Sequence, residues 1–122
     1  MEEKVLGVLG AVEGKKYKYF LNKIVDTLEM WGIFCSNENA WATKSLDGND
    51  SLILFPEKEF VEYYINKNEC GGVPRKINLL EFLYEWTVAL PKPFYVVLYG
   101  DNNKFYTIQK ITDDIYVELN NY

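Results

Sequence analysis

A chain of 122 residues, 48% apolar and 25% charged, has the size and balance of one globular domain that buries about two-thirds of its unfolded surface without cross-links. Its net charge of −5 argues against a nucleic-acid partner, since such binding rests on neutralising phosphates; the absence of histidine removes the commonest general base near neutral pH and the commonest zinc ligand. Two cysteines make no disulfide framework, and no basic start, signal-peptide core or run of about 18 apolar residues appears, so the chain reads as a cytoplasmic protein with no membrane role.

Residues 1–14 read as a lead-in or a short docked helix. Val5, Leu6, Val8 and Leu9 offer an apolar face, which Gly7, Gly10 and Gly14 weaken. A single α+β domain is expected over 15–122. Tyr17, Phe20, Leu21, Ile24, Val25 and Leu28 recur at helical spacing and predict a helix over 15–30. The period then drops to two. Trp31, Ile33 and Cys35 predict a strand, the polar "SNEN" a turn, "AWATK" a second strand and "SLDGND" a tight turn into "SLILF". These three strands predict an antiparallel meander over 31–55.

Pro56 stops the third strand and opens the helix "EKEFVEYYINK", whose early acids suit its dipole. "NECGGVPRK" over 68–76 reads as a loop. Asn78 and Glu81 form a capping pair for a helix over 79–90, with Leu79, Leu80, Leu83, Trp86, Thr87 and Leu90 inward, and Pro91 and Pro93 stop it. "FYVVLYG" is the most strand-like segment. A "DNN" turn returns it through "KFYTIQK" as a hairpin, and Thr112 caps a last helix, the alternative there being an edge strand. The expected architecture is one antiparallel, or mixed, sheet of about five strands packed by three or four helices.

Motifs for chemistry are sparse. The carboxylates of Glu57, Glu59 and Glu62, and of Glu81 and Glu85, sit where dipole matching and solvation explain them. "LDGND" lacks the frame and final glutamate of a calcium loop, and "GGVPRK" lacks phosphate-loop spacing. No metal or cofactor is expected. Cys35 falls in an apolar run and reads as inert, while Cys70, beside two glycines, is the better redox candidate. Trp31 and Trp41 read as scaffold shared by the first helix and the meander. With Phe55, Cys70, Arg75 and Lys76 they are also the candidates for an interaction surface, or for a pocket between the two tryptophans and the 67–76 loop.

The set "YFLNKIVDTLEMWGIF", "NAWA" and "LILFPEKEFVEYY", followed by "INLLEFLYEW", "FYVVLYG" and "ITDDIYVEL", resembles the DUF2750 family of small uncharacterised bacterial proteins from Tyr17 to about Leu119. The family pattern has glycine before its second tryptophan and tryptophan before its proline. Here Ala40 and Phe55 stand at those places. The resemblance implies an architecture and carries no activity, cofactor or catalytic set. Small size, acidic charge and ten tyrosines favour a non-enzymatic protein-interaction domain of the immunity or adaptor kind. The partner is another protein, or a second copy of the chain. The alternatives are a small-molecule-binding regulatory domain and a histidine-free enzyme.

Overall fold

The structure, a computed structural model, describes residues 2–100 and 104–121. Among these residues the chain is an α+β domain with seven strands in two sheets and five helices. The "DNN" turn expected at 101–103 lies outside the described residues.

Helix α1 (Glu2–Leu9) docks through the buried Val5 against α2 (Glu13–Thr27) and α3 (Lys58–Asn68). The stripe read from the sequence is the one α2 buries: Phe20, Leu21, Ile24 and Val25. Leu28 ends α2 in the left-handed region, with φ of 60°. Strand β1 (Glu29–Cys35) follows, then β2 (Ala40–Trp41), β3 (Thr43–Leu46) and β4 (Asn49–Leu54).

These strands do not form one meander. Strand β1 lies at the centre of a three-stranded sheet, between β2 and β5 (Val73–Asn78). Strands β3 and β4 belong to a second sheet of order β3-β4-β6-β7, where β6 is Tyr95–Leu98 and β7 is Tyr106–Thr107. The two sheets meet at Trp31 and Phe55, whose backbones exchange hydrogen bonds of 2.9 and 2.8 Å. The turn at Asp47-Gly48 does close an antiparallel β3–β4 hairpin.

Strand β5 corrects the loop expected over 68–76. It pairs antiparallel with β1 from Glu29–Asn78 to Phe34–Val73. Pro74 is tolerated because β5 is an edge strand, where a missing N–H breaks no ladder. Strands β4 and β6 run parallel, which makes the second sheet mixed. Leu52, Ile53 and Leu54 are all buried, as are Val96, Val97 and Leu98, so this pair is covered on both faces.

Residues 79–89 form one continuous helix, α4, with a π turn (Phe82–Trp86) between two short α segments. The Asn78 side chain caps it by accepting from the Glu81 N–H at 3.0 Å, as its spacing predicts. The inward face is corrected: Phe82 is buried and Leu80 is 42% exposed. Leu79, Phe82 and Leu83 form the buried stripe, and Leu80 lies one residue, about 100° of helix, off Leu79.

Helix α5 (Ile108–Asn121) settles the last segment as helix and begins earlier than expected. Its first turn is capped by Thr107, whose Oγ1 accepts from the Lys110 N–H, and not by Thr112. Ile108, Ile111 and Ile115 supply its buried stripe.

Candidate functional site

Gly32 fixes the position of the central aromatic group. It lies in the middle of β1, opposite Arg75 of β5. A Cβ there would lie 2.9 Å from the Trp41 ring, so only glycine lets the indole lie flat on the strand. Trp41 meets Phe34 edge-on at 5.4 Å and Trp86 of α4 at 5.5 Å. Trp86 in turn contacts Phe82 at 5.6 Å. At the outer end, the Arg75 guanidinium lies 4.2 Å from the Phe34 ring centre and 5.6 Å from that of Trp41. A ladder thus runs from an exposed cation, through half-buried rings, to the fully buried Phe82.

This ladder orients α4. Phe82 and Trp86, four apart, face inward through the π turn. The outer face then presents Leu80, Tyr84 and Val88, which are 42%, 67% and 79% exposed. Glu81 and Glu85 are exposed beside them. Three large apolar side chains at every fourth position, rimmed by carboxylates, make a continuous stripe.

The tyrosines work mostly inside the fold. Four hydroxyls tie α2 to its neighbours. Tyr17 donates to Asp114 of α5, and Tyr19 to Glu57 before α3. Tyr99 donates to the Lys16 carbonyl at 2.8 Å, and Tyr106 to Glu13 at 2.9 Å. Burial, reinforced by the hydrogen bond to Glu57, pushes the Tyr19 hydroxyl up to about 12. Burial likewise raises Tyr17, aided by Asp114, and Tyr99.

Two carboxylates of this network, Glu57 and Asp114, sit below their ordinary range. Burial pulls Glu57 upward, but hydrogen bonds from Lys4 and Tyr19 and the charges of Lys4 and Lys23 outweigh it. Asp114 has the same balance against Tyr17 and Lys110. Lys4 bridges Glu57 at 2.8 Å and Glu59 at 3.0 Å, clamping α1 to the start of α3, and its hydrogen bond to Glu57 raises its own pKa. Each of these polar groups has a structural partner, so the cluster reads as a strut.

The residues singled out from the sequence meet in pairs: Trp31 bridges Phe55 through the backbone, and Arg75 lies 5.6 Å from the Trp41 ring centre. Trp31 and Trp41 are both half-buried against the core. Phe55 is 1% exposed and stacks edge-on with Tyr64 at 5.7 Å. Arg75 and Lys76 are consecutive in β5 and therefore point to opposite faces; Lys76 pairs with Glu29 at 3.3 Å, so the two form no joint anion clamp. Cys70 is free and half-buried. The concavity beside its loop, about 450 Å³, is lined by Cys35, Cys70, Gly72, Tyr64 and the 36–38 turn, and neither tryptophan lines it. Cys35 is half-buried at the edge of this hollow, not sealed in the core.

Sequence reading missed the α4 stripe. Its only cue was the spacing of Leu80, Tyr84 and Val88, which competes with the expected inward stripe of Leu79, Leu80, Leu83, Trp86, Thr87 and Leu90. Among the described residues no group of three or more Cys, Asp or Glu could hold a metal ion, and no helix is long and apolar enough to cross a membrane.

The family described as "Protein of unknown function (DUF2750)" matches residues 17–113, and the chain belongs to it. No curated protein and no solved structure matches.

Proposed function

We propose that this DUF2750 member is a non-enzymatic, cytoplasmic protein-interaction domain of the adaptor or immunity kind, and that the outer face of α4 is its docking element. The observation that carries this reading is the Leu80–Tyr84–Val88 stripe, solvent-exposed on a helix whose other face is anchored by Trp86 and Phe82. Apolar anchors at i, i+4 and i+8 are what a helix presents to a hydrophobic groove. A rigid backing lowers the ordering cost of binding.

The rim chooses the partner. Glu81 and Glu85 flank the stripe and the whole chain carries −5. A second copy docked by the same face would set these carboxylates against one another, which costs affinity. A different protein with an apolar groove and a basic rim meets both features.

The test places a photo-crosslinking phenylalanine analogue at Tyr84 and, as a control, at Val12, which is 68% exposed and remote in sequence. A protein crosslinked from host extract at position 84 is then purified and its affinity measured. The Tyr84→Glu/Val88→Glu variant should melt within a few degrees of wild type, since exposed substitutions stay near ±0.5 kcal/mol. It should bind that protein at least about tenfold more weakly. Equal crosslinking at both positions, crosslinking only to a second copy, or unchanged affinity in the variant overturns the proposal.

A further inference from the structure

The geometry points to a modification site that uses neither α4 nor its stripe: Cys35 and Cys70 are a thiol pair that closes to a disulfide across the hollow they share. They are the chain's two cysteines, far apart in sequence. Both are free and half-buried, and both line the cavity of about 450 Å³ beside the end of β1.

Strand pairing brings them there. The β1–β5 ladder reaches Phe34–Val73, and one further step sets Cys35 opposite Gly72. The Cys35 Sγ lies 3.5 Å from where a Gly72 Cβ would stand, so the thiol sits against the glycine backbone. Cys70 is two residues before Gly72, which keeps its Cα within about 7 Å of the Gly72 Cα. On its other side Cys70 is tied to the end of α3, where its N–H donates to the Ile65 carbonyl at 3.3 Å. Its sulfur lies near Tyr64, whose hydroxyl is raised by burial and further by the charge of Cys70. Tyr64 lines the same cavity.

The joining segment suits closure. A disulfide needs Cα atoms about 4.4–6.8 Å apart and a restricted torsion about the S–S bond. Gly71 and Gly72, both exposed, are the only residues between Cys70 and β5. A Cβ on Gly71 would meet nothing within 4 Å, so this peptide has room to turn. Gly72 holds φ of 103°, and a Cβ there would stand 2.7 Å from Ile33 Cγ2 and 3.1 Å from the Phe34 carbonyl. A side chain at 72 would also fill the space that the Cys35 sulfur has to cross. The pair of glycines lets Cys70 swing to Cys35 while β5 stays paired to β1.

The chemistry is thiol–disulfide exchange with a small organic disulfide, which reaches the cavity past the exposed 36–38 turn. The Cys70 thiolate attacks one sulfur of that disulfide, whose S–S bond breaks and releases one thiolate. The Cys35 thiolate then attacks the Cys70 sulfur of the mixed disulfide and expels the second thiolate. The two protons of the cysteines end on the two released thiols. The protein dithiol is oxidised by two electrons and the small disulfide is reduced. The new bond ties the α3–β5 connection to the end of β1 and closes the hollow.

The experiment incubates the reduced full chain at low micromolar concentration with glutathione disulfide, alkylates the remaining thiols, and reads intact mass and cross-linked peptides. Wild type should become a monomer with no alkylated thiol and a Cys35–Cys70 peptide, and dithiothreitol should restore both thiols. Cys35→Ser should halt at the glutathione adduct on Cys70 and accumulate it at least about tenfold over wild type, because the resolving thiol is gone. Cys70→Ser should form no internal cross-link. The oxidised wild type should melt at a higher temperature than the reduced chain, since the bond fits the native state and constrains the unfolded one. The proposal is overturned by persistent glutathione adducts on wild type, by disulfides only between two chains, by reaction only in urea, or by a lower melting temperature on oxidation.

Discussion

Replacing Gly32 with alanine tests whether the aromatic ladder seats α4. The new Cβ would stand 2.9 Å from Trp41 Cε3 and 3.0 Å from Cζ3, the first closer than Cβ contacts normally come and the second tighter than most. The indole has little room to retreat, since Phe34 and Trp86 meet it at 5.4 and 5.5 Å. Overpacking of this kind costs about 1–3 kcal/mol. Loss of glycine from the unfolded chain returns about 0.4–1 kcal/mol. The net expectation is a destabilisation of about 1–2 kcal/mol, or a melting temperature lower by about 3–10 °C for a chain this long. A cycle with Trp41→Ala separates the clash from any backbone effect. Trp41→Ala alone should cost about 3 kcal/mol, the low end for a large aromatic because the ring is half-buried. In that background Gly32→Ala should cost nothing or stabilise, giving a coupling of about 1–3 kcal/mol by urea denaturation. Additivity within about 0.5 kcal/mol would refute the seating argument.

Three further perturbations read the tyrosine–carboxylate network and the close approach at Gly100. The folded-state pKa of Glu57 is depressed, so its stabilisation is present above the unfolded carboxylate value and fades as pH falls through the folded one. Glu57→Gln should therefore flatten the loss of melting temperature below about pH 4.3, and an unchanged slope would count against the strut. Tyr19 has the opposite sign. Its pKa is raised to about 12, so its contribution is complete below pH 10 and disappears as pH climbs toward 12; Tyr19→Phe should flatten the alkaline limb of the same melting curve. Gly100→Ala meets both a φ of 77° and the Tyr64 ring, and should cost about 2–4 kcal/mol. Tyr64→Ala in the same chain should recover the part due to the ring, and a Gly100→Ala loss below about 1 kcal/mol would contradict the close approach.

Legibility in the sequence followed the range of the interactions. The stripe of α2, the apolar runs of β4 and β6 and the Asn78 cap are local patterns, and each was found where spacing put it. Strand β5 was hidden by Gly71-Gly72 and Pro74, which mark loops unless the strand is an edge. The start of α5 was lost because "KFYTIQK" alternates for a few residues; the spacing of Ile108, Ile111 and Ile115 was the better signal. Nothing local reports that β1 and β4 lie in different sheets, since that depends on whether β5 or β4 takes the open edge of β1.

Two features lie beyond local reading for different reasons. The stripe expected on α4 takes in Leu80, which is 42% exposed, whereas the buried face runs through Leu79, Phe82 and Leu83. Gly32 admits the Trp41 ring, which meets Trp86 and so bears on which face of α4 turns outward. The hollow lined by residues 16, 44 and 67 depends instead on chain crossings: these come from a helix, an edge strand and another helix, beside the ends of parallel β4 and β6. A slip of one residue in that parallel register would turn Phe55 and Tyr99 to the opposite faces and break the aromatic wall of that hollow. The pairing of Leu54 with Leu98, extended by the 2.9 Å bond from the Tyr99 N–H to the Leu54 carbonyl, therefore holds the hollow together, just as Gly32 holds the docking helix.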